Sequence, residues 1–266
     1  MTRSTDFLFS SAGSTHPGRV RQVNQDAYAA LPELGVWVVA DGVGGHQRGD
    51  AASKAVVDEI AALASTTRPD NLTEAVRHRI LAVNRQLIQV AQSAGPGTVI
   101  GSTVAALVAE GHHCVCLWAG DSRIYGFRRG KLSRLTRDHS QVEELVDRGQ
   151  LSAAEAIHHP DANVIYRAVG QSEDLDVDAI AYNIYCHDKF MLCTDGLTKE
   201  LSDEEIGTIL ANGDCHDNCR ALMDRALRGE CRDNVGVVVV DVNPLPDSEY
   251  TNPTIQIDRS ASNDVY

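Results

Sequence analysis

Long hydrophobic runs are missing from this chain. No apolar stretch approaches the roughly 18–20 residues that a membrane-spanning helix needs, and Met1–Ser14 mixes polar and apolar residues without the apolar block of a secretory signal. No membrane segment and no exported precursor are therefore expected. Basic charge is also short: 24 Lys and Arg stand against 37 Asp and Glu, for a net charge of −13. No basic patch stands out, so a nucleic-acid-binding surface is not expected. The seven cysteines are scattered and include no paired CxxC motif, which predicts reduced thiols in a cytoplasmic protein. A zinc site at Cys215, His216 and Cys219 would need a fourth ligand that the sequence does not supply. No internal repeat is visible.

What is present is ordinary for a globular protein: 266 residues, 43% hydrophobic and 23% charged. One domain over residues 1–242 is expected, with an insertion at about 139–169 and a polar tail over 243–266. Along the chain, Gly18–Tyr28 reads as a loop leading into a short strand. The β-branched run Gly35–Ala40 reads as a buried strand. Ala52, Val56, Ile60 and Leu63 repeat at helical spacing, and a second helix is expected from about Leu72 to Val90. Strands follow over Gly97–Ala109, His113–Ala119 and Ile124–Phe127, with a hairpin back through Leu132–Leu135. His139–Val169 turns polar and helical, like a lid. Strands resume near Asp176–Ile184 and Lys189–Cys193. Helices are expected at Ser202–Ala211, with a Ser202/Glu205 capping box, and at Asp217–Leu227. Val235–Val240 reads as a buried last strand. This order suits an α+β protein with two packed antiparallel sheets and helices outside, and does not suit a parallel βαβ sheet.

Aspartates recur where buried strands stop. Asp41 follows Val36–Ala40, Asp121 follows Val115–Gly120, Asp195 follows Phe190–Thr194, and Asp233 precedes Val235–Val240. Asp-Gly after a strand is a common turn signal, so any one of these alone reads as a turn residue. Strand ends of a sandwich can converge on one rim, however. A cluster of carboxylates there would repel itself unless cations sat among them, and Mg²⁺ or Mn²⁺ prefer such oxygen ligands. Arg21 lies five residues before Asp26, on opposite faces of an extended segment, so a local turn is needed to bring both to one place. Its guanidinium suits either a salt bridge or a phosphate.

Seven ordered segments together resemble the metal-dependent type 2C serine/threonine protein phosphatases, bacterial branch: Arg21-xx-Asn-Gln-Asp26, Val39-Ala-Asp-Gly-Val-Gly-Gly-His46, Gly101-Ser-Thr103, Ala119-Gly-Asp-Ser-Arg-Ile-Tyr125, Leu135-Thr-Arg-Asp-His-Ser140, Cys193-Thr-Asp-Gly-Leu197 and Arg232-Asp-Asn-Val235. The resemblance runs from about Gly13 to Val242. It implies a four-layer α-β-β-α sandwich, two antiparallel sheets flanked by helix pairs. It implies two Mn²⁺ or Mg²⁺ ions bridged by Asp41, with the Gly42 carbonyl on one and Asp195 and Asp233 on the other. Asp26 acts near the metals through bound water, Asp121 with Asp195 holds a third, weaker ion, and Arg21 binds the substrate phosphate. His139–Val169 corresponds to the flap. Two departures stand out: Gln25 replaces a common Glu, and Val43 stands where the eukaryotic branch has its proposed general acid, His46 following three residues later.

The activity so implied is hydrolysis of phosphoserine and phosphothreonine by a metal-activated water, without a covalent enzyme intermediate. Implied partners are phosphoproteins, among them a serine/threonine kinase and its substrates; a monomer is expected. The alternative is a catalytically inactive, phosphoprotein-binding pseudophosphatase, whose mark would be loss of Asp41, Asp195 or Asp233. All three are present. A phosphodiesterase-type metallohydrolase would need histidine ligands, and the histidines fall mostly outside the aspartate turns. No cysteine lies in a phosphate-cradling loop, against a cysteine-nucleophile phosphatase.

Overall fold

The computed structural model describes residues 7–43, 48–156 and 159–245. One sheet holds five strands in the order β1 (Phe7–His16), β11 (Val235–Pro244), β10 (Lys189–Cys193), β7 (Arg123–Arg128) and β8 (Lys131–Arg134). The other runs β2 (Asp26–Leu31), β3 (Val36–Val43), β5 (Val104–Glu110), β6 (His113–Ala119) and β9 (Asp178–Asn183), with the short β4 (Gly101–Ser102) paired to β3. Every strand pair is antiparallel. Helices α1 (Gly49–Ala61) and α2 (Leu72–Ala94) cover the second sheet. The first is covered by α5 (Asp195–Glu200), α6 (Asp203–Leu210) and α7 (Cys215–Arg228). Between β8 and β9 lie α3 (Gln141–Asp147) and α4 (Ala153–Ala156).

The central strands read as unbroken apolar runs because both of their faces are buried. In β3, Val36, Val38 and Ala40 pack under α1 and α2, while Trp37 and Val39 enter the core between the sheets. In β11, Val235, Val237 and Val239 face α5–α7, while Val238, Val240 and Val242 face the other sheet. Each fully buried valine of this kind contributes on the order of 1.5–3 kcal/mol. Three apolar layers therefore bind four structural layers, the α-β-β-α sandwich that the resemblance implied.

Several boundaries differ from the sequence reading. The expected strand at Gly97–Ala109 divides into β4 and β5, and residues before Gly101 lie outside it. The helix expected at Asp217 starts at Cys215, because the Asp214 carboxylate accepts hydrogen bonds from the His216 and Asp217 amides at 2.9 and 3.0 Å. The capping box at Ser202 and Glu205 is present. Within His139–Val169, helix is confined to α3 and α4 in the described part. Two elements had no counterpart in the sequence reading. β1 pairs with β11 along its whole length, Phe7 opposite Pro244 and His16 opposite Val235. That pairing carries Asn243 and Pro244 into the sheet; of the expected tail, 246–266 falls outside the described residues. α5 begins at Asp195, where a turn was expected.

Cys215 and Cys219 sit on the buried face of α7 while His216 is exposed, so these three do not converge as a zinc site. Among the described residues no helix is long and apolar enough to cross a membrane.

Candidate active site

All five aspartates of interest lie at one end of the sandwich. Antiparallel pairing dictates this. Asp26 opens β2 directly opposite Asp41 near the end of β3. The end of β6, just before Asp121, lies opposite the start of β5. In the other sheet the end of β10, just before Asp195, lies beside the start of β11, just after Asp233, and beside the start of β7. Strand termini far apart in sequence thus share one rim.

Hydrogen bonds tie the rim across the sheets. The Thr194 hydroxyl donates to Asp26 Oδ2 at 2.7 Å and accepts from the Gly236 amide at 2.8 Å. The Asp41 amide donates to the Thr103 hydroxyl at 2.9 Å, and Thr103 pairs with Ser122 at 2.7 Å. Asn234 holds the loop that carries Arg21: its side chain accepts from the Gln25 amide at 2.8 Å and donates to the Pro17 and Val23 carbonyls at 3.0 Å each. This loop supplies the turn that an extended Arg21–Asp26 segment lacks. Gly196 is demanded by space, since a Cβ there would lie 1.9 Å from the Asn234 carbonyl oxygen. A Cβ on Gly42 would lie 2.1 Å from the Gly49 carbonyl oxygen, so glycine lets α1 start against the Asp41–Gly42 backbone. Thr194, Asn234 and Lys199 were not singled out as site residues in the sequence. Only Lys199 carried a local signal, its place four residues after Asp195.

Charge at the rim is poorly compensated. Burial, then the Asp195 and Asp233 charges, push the Asp26 carboxyl up to about 7. Burial, with the Asp195 and Asp138 charges, pushes Asp121 up to about 8. Asp41 is driven well above the usual range by burial and by Asp26, Asp195, Asp121 and Asp233. Asp195 is also raised, chiefly by burial, against the pull of Lys199. Asp233 alone is lowered: burial raises it, but Lys199 and Arg21 outweigh that. Arg21 donates from Nε to Asp233 Oδ1 at 3.1 Å, and Lys199 Nζ lies 2.6 Å from Asp195 Oδ2 and 3.0 Å from Asp233 Oδ2.

Two buried carboxylate oxygens, Asp26 Oδ1 and Asp195 Oδ1, have no hydrogen-bond partner. Buried polar atoms are nearly always satisfied, and an unpartnered carboxylate oxygen beside other carboxylates matches the chemistry of a hard divalent cation. The residues therefore fit such an ion. Among the described residues, however, no three His, Cys, Asp or Glu side chains form a finished cage, and Lys199 stands between Asp195 and Asp233. Val43 ends β3 with its side chain beside Gly101, and His46 falls outside the described residues.

A sandwich whose rim gathers acidic side chains, a guanidinium and unsatisfied oxygens defines a hydrolase of the metal-assisted kind. The model of the family described as protein phosphatase 2C matches residues 12–226. The chain belongs to that family, and it is an enzyme, a protein phosphatase. It is 31% identical over 237 residues to the serine/threonine phosphatase stp of Listeria welshimeri, covering 86% of this chain and 94% of that one. It is 32% identical over 242 residues to the serine/threonine protein phosphatase PstP of Mycobacterium tuberculosis, covering 91% of this chain but 46% of that longer protein. Among solved structures, PppA, a key regulatory component of T6SS in Pseudomonas aeruginosa, is 39% identical with a TM-score of 0.81, covering 88% of this chain and 98% of that one. The catalytic domain of PstP in complex with two manganese ions is 30% identical, also with a TM-score of 0.81, covering 89% and 99%.

Proposed function

We propose that this chain is a metal-dependent phosphatase of phosphoserine and phosphothreonine in proteins, with Asp41, the Gly42 carbonyl, Asp195 and Asp233 holding two Mn²⁺ or Mg²⁺ ions. Asp26 acts beside them through water, and Asp121 with Asp195 holds a third, weaker ion. The observation that carries this reading is the meeting of five carboxylates at one rim with buried, unpartnered oxygens on Asp26 and Asp195. When bound, the ions supply Lewis acidity toward the phosphoryl group and a water of lowered pKa. The chain's own residues do the rest. Thr194 and Thr103 fix Asp26 and the Asp41 backbone. Arg21 keeps part of its five-donor fork free of Asp233, and its side chain is 54% exposed, so it can grip phosphoryl oxygens as substrate arrives.

Retention of Asp41, Asp195 and Asp233 favours an active enzyme over an inactive phosphoprotein-binding one. The chemistry also places the reaction: phosphoserine and phosphothreonine must be supplied by transfer from a nucleotide, so a serine/threonine kinase stands upstream. A place in the cytoplasm accords with seven unpaired thiols, six of them buried. The test is release of phosphate from a phosphothreonine peptide. Activity should vanish in chelator and return with Mn²⁺; turnover that persists in chelator overturns the proposal.

A further inference from the structure

We propose that Lys199 is a positioning residue that competes with the divalent ion for Asp195 and Asp233, and so sets the metal concentration at which the rim fills. The inference rests on the ligand roles proposed above for those two carboxylates. Lys199 lies one turn after Asp195 on α5, so its ammonium folds back over the start of that helix. There it meets Asp233, in the connection between α7 and β11. Nζ lies 2.6 Å from Asp195 Oδ2 and 3.0 Å from Asp233 Oδ2. Arg21 takes the remaining oxygen of Asp233, Oδ1, at 3.1 Å. Three of the four oxygens on this carboxylate pair therefore already face a cation, and only Asp195 Oδ1 does not.

An ammonium at that distance has two opposed effects. It offsets the mutual repulsion of Asp195 and Asp233, which burial makes costly. It also repels a divalent ion approaching the same pair, and repulsion between charges a few ångströms apart is large at the reduced dielectric of a protein rim. Asp26, Asp41 and Asp121 have no lysine or arginine within salt-bridge reach among the described residues, so the direct competition is for Asp195 and Asp233, with Asp121 feeling the Lys199 charge only from farther off. The Lys199 side chain is 37% exposed. Its flexible stem can swing the ammonium into water, so the ion can displace it rather than be shut out.

The test is calorimetric titration of Mn²⁺ into the full chain after chelator stripping, with the thermal midpoint in chelator as a second readout. Lys199→Met keeps the length and removes the charge. It should tighten Mn²⁺ binding by about tenfold or more, the scale expected when a like charge is removed beside a partly buried ion, and lower the midpoint in chelator. Lys199→Arg keeps a cation and should bind Mn²⁺ no more tightly than the native chain. Unchanged or weaker binding in Lys199→Met overturns the proposal, as does equal tightening in both variants, which would mean size rather than charge. Asp195→Asn separates the two levels of inference. It should weaken Mn²⁺ binding; if it leaves binding intact, the ligand assignment itself fails and the proposal goes with it.

Discussion

Asp188 and Asp241 at one end of the sandwich and the five rim aspartates at the other are treated in opposite ways. At the end away from the active site, Asp188 and Asp241 each have their own cation. Asp188 accepts from Arg128 Nε at 2.7 Å and from its terminal nitrogen at 2.6 Å, and also takes the Tyr185 amide at 2.8 Å. Asp241 faces Lys189 at 2.9 Å and accepts the Cys215 amide at 2.7 Å. At the active end Asp195 and Asp233 share two cations, Arg21 and Lys199, the other three rim aspartates pair with none among the described residues, and two buried oxygens go unpaired. The same residue type thus serves stability at one end, where geometry is satisfied within the chain. At the other end it holds uncompensated charge that stability alone would not favour, and that a divalent ion would use.

Mutation can test the contrast. The largest effect is expected from Asp195→Asn. Turnover of a phosphothreonine peptide with Mn²⁺ should fall by about 10³-fold or more, while the melting midpoint in chelator stays level or rises, because one charge leaves a crowded rim. A variant with most of its activity left would remove Asp195 from the machinery. Asp188→Ala should do the reverse. It strips a carboxylate only 3% exposed from the Arg128 guanidinium, and should cost about 2–3 kcal/mol in urea unfolding with kcat nearly unchanged. A large loss of activity at unchanged stability would break the contrast. Arg21→Ala should have the smallest effect, a rise of about tenfold in KM for the phosphopeptide, from lost charge-assisted contacts, read from initial rates at saturating Mn²⁺.

Much of this was legible in the residues. Runs such as Val36–Ala40 and Val235–Val240 announced strands buried on both faces, and aspartates at their ends marked where chemistry could gather. Helical spacing placed α1 and α2. What was not legible failed for physical reasons. β1, with the sequence Phe-Leu-Phe-Ser-Ser-Ala-Gly-Ser-Thr-His, has weak alternation, and it is a strand because β11 offers it ten consecutive partners. α5 spans six residues, too few for a period to show, and it is held by packing of Leu197 in the core under α7. The turn that brings Arg21 to Asp233 depends on Asn234, more than 200 positions away in the chain, so no local pattern could announce it.

The central strands, the long helices α1 and α2, the aspartates at the strand ends and the family to which the chain belongs were settled by the sequence alone, because burial on both faces and glycine-bearing turns leave local marks. Only the tertiary structure decided which oxygens are paired and which are left over, and that Lys199 reaches two carboxylates at once. Those outcomes depend on distances between segments that adjacent residues do not encode.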